Sequence, residues 1–199
     1  MSHKPLSPNR QITDLQDFIK HIQAELGLSD KDSKLPPVDD WSPEHCGDIG
    51  LRISADGTWW QNGARFTRMP LVKLFSRILR KDADGCTYLV TPYEKVIVQI
   101  DDAPFTGIRI DCHNNGIWQD LIVTTNVGDT VLICDDNPLR VVINPLTREP
   151  RPYVKVRGRL EALLLRAPFY ELVEYGQTRA DKFGVYSNGT FFEVDSLSD

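Results

Sequence analysis

The sequence is poor in the features that usually announce a chemistry. It has four cysteines, Cys46, Cys86, Cys112 and Cys134, with no CxxC spacing. Neither a zinc ribbon nor a cysteine-stapled secreted scaffold is therefore expected. No apolar run approaches the roughly 20 residues that span a bilayer. Met1-Ser2-His3-Lys4-Pro5 has no apolar signal core, so a cytoplasmic protein that does not enter a membrane is expected. No Walker A loop, G-x-G-x-x-G or G-x-S-x-G occurs, which removes the usual signatures of nucleotide hydrolysis, dinucleotide binding and serine hydrolysis. Excess basic charge is also missing. The net charge is -5, which does not favour nucleic acid as a partner.

What remains is an ordinary globular chain. Of its 199 residues, 41% are apolar and 26% charged, enough apolar material for one large domain or two small ones. Residues 1–9 are polar. Thr13 and Gln16 form a capping-box pair, and Leu15, Phe18, Ile19, Ile22 and Leu26 share one helical face that Gly27 ends. This amphipathic helix must dock on its own chain or on a partner. Lys34 to Pro43 follows with Pro36-Pro37 and Trp41. Paired prolines favour an extended path, and Trp41 is expected to be buried against the first folded unit.

Turn chemistry then marks a β-rich unit. Leu51-Arg52-Ile53 and Thr58-Trp59-Trp60 flank Asp56-Gly57, and Asn62-Gly63 makes a second turn. Pro70 suits a first helical turn, with Leu71, Leu74, Phe75, Ile78 and Leu79 as the buried stripe. A hairpin after Gly85 joins Tyr88–Val90 to Val96–Ile100. Between residues 101 and 165, short apolar runs recur at 107–110, 118–123, 131–134, 139–143 and 153–156, separated by turn residues. That spacing suggests a small sandwich or barrel.

One pattern occurs twice. Arg68-Met69-Pro70-Leu71-Val72-Lys73-Leu74-Phe75 and Arg166-Ala167-Pro168-Phe169-Tyr170-Glu171-Leu172-Val173 share Arg, Pro and Leu, and each is followed by Gly and a hairpin. Leu160–Leu165 fits strand or helix by periodicity, and the repeat assigns it to a strand with a helix from Pro168. The expected fold is thus α+β. Residues 1–34 form the N-terminal helix and linker, 35–105 the first α+β unit, and 106–199 a second, β-rich unit with a helix. The two units share a duplicated strand–helix–hairpin core.

Candidate chemistry is sparse. His45-Cys46 and Cys112-His113 could in sum supply four metal ligands. Neighbours on a strand point to opposite faces, however, and structural zinc ligands pair roughly two to four residues apart. No metal, cofactor or catalytic residue is assigned. Asp39-Asp40, Asp101-Asp102 and Asp135-Asp136 lie at turns, where Asp serves local hydrogen bonds. Charge is unevenly spread. Asp101 to Asp136 is acidic, with Arg109 its one Lys or Arg. From Arg140 to Arg166 the sequence carries Arg148, Arg151, Lys155, Arg157 and Arg159 as well, against Glu149 and Glu161. This marks either an anion site or solvated strand faces. Arg68 and Arg166, each two residues before a helix-opening proline, could clamp an anion at a helix start, where the backbone dipole favours negative charge.

Several stretches resemble the bacterial family known as domain of unknown function 1285. They are Leu35-Pro36-Pro37-Val38 with Trp41 and Pro43, Cys46-Gly47-Asp48-Ile49, Asp56-Gly57-Thr58-Trp59, and Leu71-Val72-Lys73-Leu74-Phe75. Leu89-Val90-Thr91-Pro92 with Glu94-Lys95, Asp102-Ala103-Pro104-Phe105, Arg151-Pro152-Tyr153-Val154 and Phe169-Tyr170-Glu171-Leu172-Val173 continue the match. The resemblance implies two α+β units with a duplicated core, the second superficially pleckstrin-homology-like. It also implies a nucleotide-like ligand in the groove between the units, a signalling role and no established enzymatic activity. Carried onto this sequence, its candidate ligand residues are Arg68, Thr91, Glu94, Lys95, Asp102 and Tyr153. Arg157 and Arg166 join them from the charge pattern.

The leading expectation is a small anionic, nucleotide-like ligand. The alternatives are a hydrolase or transferase acting on a phosphorylated small molecule, with Glu94 or Asp102 as base, and an adaptor that binds a protein partner through the N-terminal helix and Trp41.

Overall fold

A computed structural model of the protein describes residues 15–22 and 34–196. The expected cap at Thr13 and the expected stop at Leu26 and Gly27 lie outside the described residues. Among the described residues strand predominates, with helices few. The chain forms two units, one containing the residues up to Arg52 with Trp59–Gln99, the other Ile53–Thr58 and the residues from Ile100 on. No helix among the described residues is long and apolar enough to cross a membrane.

The first unit is built on a six-stranded sheet. Its strands are β1 (His45–Ile53), β2 (Trp59–Gln61), β3 (Ala64–Arg65), β4 (Leu79–Lys81), β5 (Thr87–Val90) and β6 (Glu94–Ile100), in the order β3-β2-β1-β6-β5-β4. Period-two alternation sets their faces. On β1, Ile49, Leu51 and Ile53 are buried while Asp48, Gly50 and Arg52 are exposed. Asn62 and Gly63 have φ of 49° and 80°, the left-handed pair that lets β2 turn tightly into β3 with Gln61 opposite Ala64.

Two helices belong to this unit, α1 (Leu15–His21) and α2 (Met69–Arg77). Phe75 of α2 is the hub of the core. Its ring lies 6.2 Å from Phe18, 6.1 Å from Trp59 and 5.8 Å from Phe66, the spacing at which aromatic pairs attract. Leu15, Phe18 and Ile22 are buried, so the apolar face of α1 docks on its own chain. The α2 stripe was expected to run through Leu79. The helix ends at Arg77 instead, because Ile78 N–H turns back to Phe75 O at 3.1 Å and Ile78 O accepts from Val90 N–H at 2.9 Å. Leu79–Lys81 thereby becomes β4, a strand that periodicity did not reveal.

The proline segment is pinned rather than buried. Arg80 Nη1 donates to the carbonyls of Val38 and Trp41, both at 2.6 Å, and Arg77 donates to that of Lys34. Trp41 is only half-buried, short of the expected burial against the first unit. The guanidinium holds its backbone, so the indole need not be swallowed by the core.

The second unit contains a six-stranded sheet of β7 (Phe105–His113), β8 (Asp120–Thr125), β9 (Thr130–Leu132), β10 (Leu139–Ile143), β11 (Pro150–Arg157) and β12 (Leu160–Leu164). The order is β10-β11-β12-β7-β8-β9. β12 runs parallel to β7, and the other neighbours are antiparallel. The segment that periodicity left open is therefore strand. α3 (Arg166–Glu174) follows, then a three-stranded sheet of β13 (Gly176–Arg179), β14 (Lys182–Ser187) and β15 (Thr190–Ser196). α3 begins at Arg166, two residues before the expected Pro168. Leu165 caps it and its carbonyl accepts from Phe169 N–H at 3.0 Å. Pro168 still falls among the first N–H positions, which have no helical partner to lose.

Each unit contains a nine-residue helix followed by an antiparallel three-strand meander, β4-β5-β6 after α2 and β13-β14-β15 after α3.

Candidate functional site

In the first unit the candidate residues serve mainly local structure. Arg68 is exposed at the N-cap of α2, and its carbonyl accepts from Leu71 and Val72 N–H at 3.0 and 3.1 Å. Thr91 is buried in the β5–β6 turn. Its Oγ1 donates to Glu94 O at 3.1 Å and accepts from Glu94 N–H at 3.1 Å. Thr91 thus closes the hairpin, and Glu94, also buried, is fixed through its own backbone. Lys95 Nζ lies 2.8 Å from Asp82 Oδ2 and 4.0 Å from the centre of the Tyr88 ring. Arg80 reaches the other oxygen of Asp82 at 2.6 Å. Burial alone would raise the Asp82 carboxyl, but hydrogen bonds and charge from Arg80 and Lys95 hold it below its ordinary value. Tyr88 donates to Asp84 at 2.8 Å. That bond, with burial, pushes the phenol well above its ordinary range. Arg80, Asp82 and Tyr88 were not foreseen as a cluster, although Lys95 was.

The second unit gathers a more accessible group. In β11, Arg151, Tyr153 and Lys155 share one face, while Pro152, Val154 and Val156 point into the core. Register places Arg140 of β10 opposite Tyr153 and Val142 opposite Arg151. It places Glu161 of β12 opposite Lys155. Three strands therefore present Arg140, Arg151, Tyr153, Lys155 and Glu161 together.

The contacts are specific. Tyr153 donates to Asp102 Oδ1 at 2.7 Å, and Arg151 Nη2 donates to Asp102 Oδ2. The Arg140 guanidinium lies 4.2 Å from the Tyr153 ring centre, and its Nε and Nη2 each meet a Glu161 oxygen at 2.6 Å. Burial foremost, then the hydrogen bond to Asp102, raises the Tyr153 phenol, which stays a donor at neutral pH. The Glu161 hydrogen bond raises Arg140. At Arg151, burial works foremost against the charged form, and charge and hydrogen bonding from Asp102 and Tyr153 together outweigh it and raise the group. The Arg140 and Arg151 side chains remain 49% and 41% exposed, against 14% for Asp102. Both oxygens of Asp102 are thus engaged, one by Tyr153 and one by Arg151.

The remaining candidates stand apart from this group. Arg157 Nη1 meets Asp129 Oδ2 at 2.6 Å, and its guanidinium lies 4.9 Å from the Phe105 ring centre. Arg166 is the first residue of α3 and is exposed, with Nε donating to Tyr170 Oη at 3.0 Å. Much of the charge asymmetry is internal to this unit, since Arg151 meets Asp102 and Arg157 meets Asp129. Arg140 was visible only as a member of a basic run, and Arg151 also within the stretch Arg151-Pro152-Tyr153-Val154. The signal that could have singled them out is the alternation Arg151-x-Tyr153-x-Lys155.

Comparison with known proteins gives the chain a family without an activity. The model "Domain of unknown function (DUF1285), N-terminal domain" matches residues 36–103. "Protein of unknown function (DUF1285), C-terminal domain" matches residues 104–194. No curated protein matches. A crystal structure of a DUF1285 family protein from Silicibacter pomeroyi DSS-3 is 42% identical. Its alignment covers 84% of this chain and 91% of that one, with a TM-score of 0.80. A DUF1285 family protein from Shewanella baltica OS155 is 26% identical over 63% of this chain and 91% of its own, with a TM-score of 0.49.

Proposed function

The chain belongs to the DUF1285 family, and we propose that it binds a small anionic, nucleotide-like ligand whose oxyanion sits on the Arg140–Tyr153–Arg151 face of the second unit. One observation carries this reading: two partly exposed guanidiniums flank a single tyrosine, one stacked on its ring and the other joined to it through Asp102. Guanidinium has five N–H donors in a planar fork, so each arginine keeps donors beyond its present bonds. The exposed Arg140–Glu161 pair is worth about 0–1 kcal/mol. A charge-assisted hydrogen bond to a phosphate oxygen contributes about 1.5–3 kcal/mol. A phosphate can therefore displace Glu161, while the more buried Asp102 keeps Arg151 and Tyr153 in position.

Thermal-shift and calorimetric titration with ATP, GTP, their diphosphates and inorganic phosphate tests this. Stabilisation by at least one of them is expected, reduced about tenfold or more in affinity by Arg140→Ala or Arg151→Ala. No shift from any of them at millimolar concentration, or full binding by both variants, would overturn it.

The helix–meander succession in both units supports a duplicated core, with Arg68 and Arg166 as its matching positions. The pleckstrin-homology-like reading of the second unit comes from the family resemblance, and a β-sheet followed by a helix is in keeping with it as fold analogy. Superposing residues 69–100 on 166–196 in an experimental structure checks the duplication. Failure of the two helices and meanders to align in the same order would refute it.

A further inference from the structure

We infer that the second unit carries a docking surface for a Lys- or Arg-bearing peptide segment of a partner protein, centred on Trp118. The short helical turn Gly116–Trp118 lies between β7 and β8. It leaves Trp118 69% and Ile117 49% exposed. Large apolar groups in that state mark interaction sites when they are held rigidly.

Trp118 is held. The next residue, Gln119, is buried, and its Nε2 donates to Tyr186 O at 2.8 Å. Gln119 O accepts from Asn188 N–H at 2.8 Å. The indole rests on the β14–β15 turn, where Gly189 has φ of 80° and a Cβ would lie 3.2 Å from the ring. One edge of the indole is thus seated while most of it faces outward. A partner would find the ring already ordered, which lowers the entropy cost of binding.

Charge selects the occupant. Two carboxylates bond to the residues on either side of Gly189. Asp120 Oδ1 accepts from Asn188 Nδ2 at 3.3 Å, and Asp135 Oδ1 accepts from Thr190 Oγ1 at 2.9 Å. Asp136, next in sequence, is exposed. Between Arg109 and Arg140 there is no Lys or Arg, and of the acids there Asp111 and Asp129 pair with Arg109 and Arg157, leaving the rim to Asp120, Asp135 and Asp136. An indole face attracts cations, and a carboxylate rim adds to that attraction while repelling acidic partners. An apolar ligand would cover Trp118 and leave the charges of Asp120, Asp135 and Asp136 uncompensated. A basic segment satisfies both, with a side-chain stem on Ile117 and its cationic head over the indole.

The test uses the full chain and two fluorescent hexapeptides, Arg-Gly-Arg-Gly-Arg-Gly and its glutamate counterpart, followed by anisotropy. The arginine peptide is expected to bind and the glutamate peptide not to bind. Trp118→Leu, which keeps apolar area but removes the ring, should weaken binding roughly tenfold. Asp135→Asn with Asp136→Asn should weaken it several-fold, and raising salt should do the same. Equal binding of both peptides, no binding of the arginine peptide at millimolar concentration, or unchanged affinity of Trp118→Leu would overturn the inference. So would a concentration-dependent dimer that Trp118→Leu abolishes, because the surface would then belong to a second copy of this chain. Anion binding by Arg140 and Arg151 is read separately with the phosphate titration and does not bear on this result.

Discussion

The hydroxyl of Tyr153 on β11 donates to Oδ1 of Asp102 at 2.7 Å across a sequence separation of 51 residues. Tyr153 is buried, and the carboxylate also takes Arg151. Replacing Tyr153 with Phe deletes the donor and leaves part of a half-buried carboxylate without its partner. A loss of about 1–3 kcal/mol of stability is expected in urea denaturation. A change under about 0.5 kcal/mol, the range of an ordinary surface substitution, would show that the bond contributes nothing net.

Glu161 competes with any anion for Arg140. The variant Glu161→Gln should therefore bind the phosphate ligand more tightly than the wild type, by roughly threefold to tenfold. It should leave the melting temperature nearly unchanged, since the pair is exposed. Calorimetry on both proteins reads the affinity directly. Weaker binding by Glu161→Gln would show that Glu161 helps to hold the ligand rather than blocking it.

Arg80 joins Val38 O, Trp41 O and Asp82 in one guanidinium. Arg80→Ala removes the side-chain donor to two carbonyls and one of the two cations on Asp82, which keeps Lys95, at a cost of about 1–3 kcal/mol. The 38–41 segment should then exchange its amide hydrogens faster than the rest of the first unit. Protection that is unchanged in that segment would contradict this assignment.

The depressed carboxyl of Asp82 predicts an acid-side loss of stability. Its folded-state value lies below the ordinary 3.8, so the unfolded chain binds the proton more readily and stability rises with pH through that range. The contribution is fully present above the ordinary value and is lost as pH falls through the folded-state value. Asp82→Asn should flatten the stability profile below about pH 4. Stability measured by urea melts from pH 6 to pH 2 checks the slope.

Phe18 anchors α1 against Phe75 and is fully buried. Truncation to alanine should cost about 3–5 kcal/mol. Removing residues 1–27 should destabilise the first unit for the same reason. A truncated protein as stable as the full chain would mean that the docking of α1 contributes little.

Much of the strand pattern was legible because alternation is a local signal. The runs at 107–110, 139–143 and 153–156 lie within β7, β10 and β11, since side chains two apart share a face wherever the chain is extended. The strand at Leu160–Leu164 needed the repeated Arg-x-Pro block to be read, because its own leucines fit either period. The end of α2 could not be read. Ile78 and Leu79 continue the helical stripe, and only the bond from Val90 N–H to Ile78 O shows why the helix stops. Arg80 and Asp82 were missed for a related reason, since β4 exists only through its pairing with β5.

Turn dipeptides, period-two alternation and the repeated Arg-x-Pro block pointed to two α+β units, the second β-rich, with helices opening near two prolines; strand predominates over helix more than that reading allowed. Each of these signals acts within a few residues, so each survives in the bare chain. The grouping of Asp102 with Arg151 and Tyr153, the stacking of Arg140, and the seat of Trp118 on the Asn188–Gly189 turn were decided by tertiary structure. They depend on which strands become neighbours and in what register. Residues far apart in sequence come into hydrogen-bond reach only when the whole unit buries its core at once.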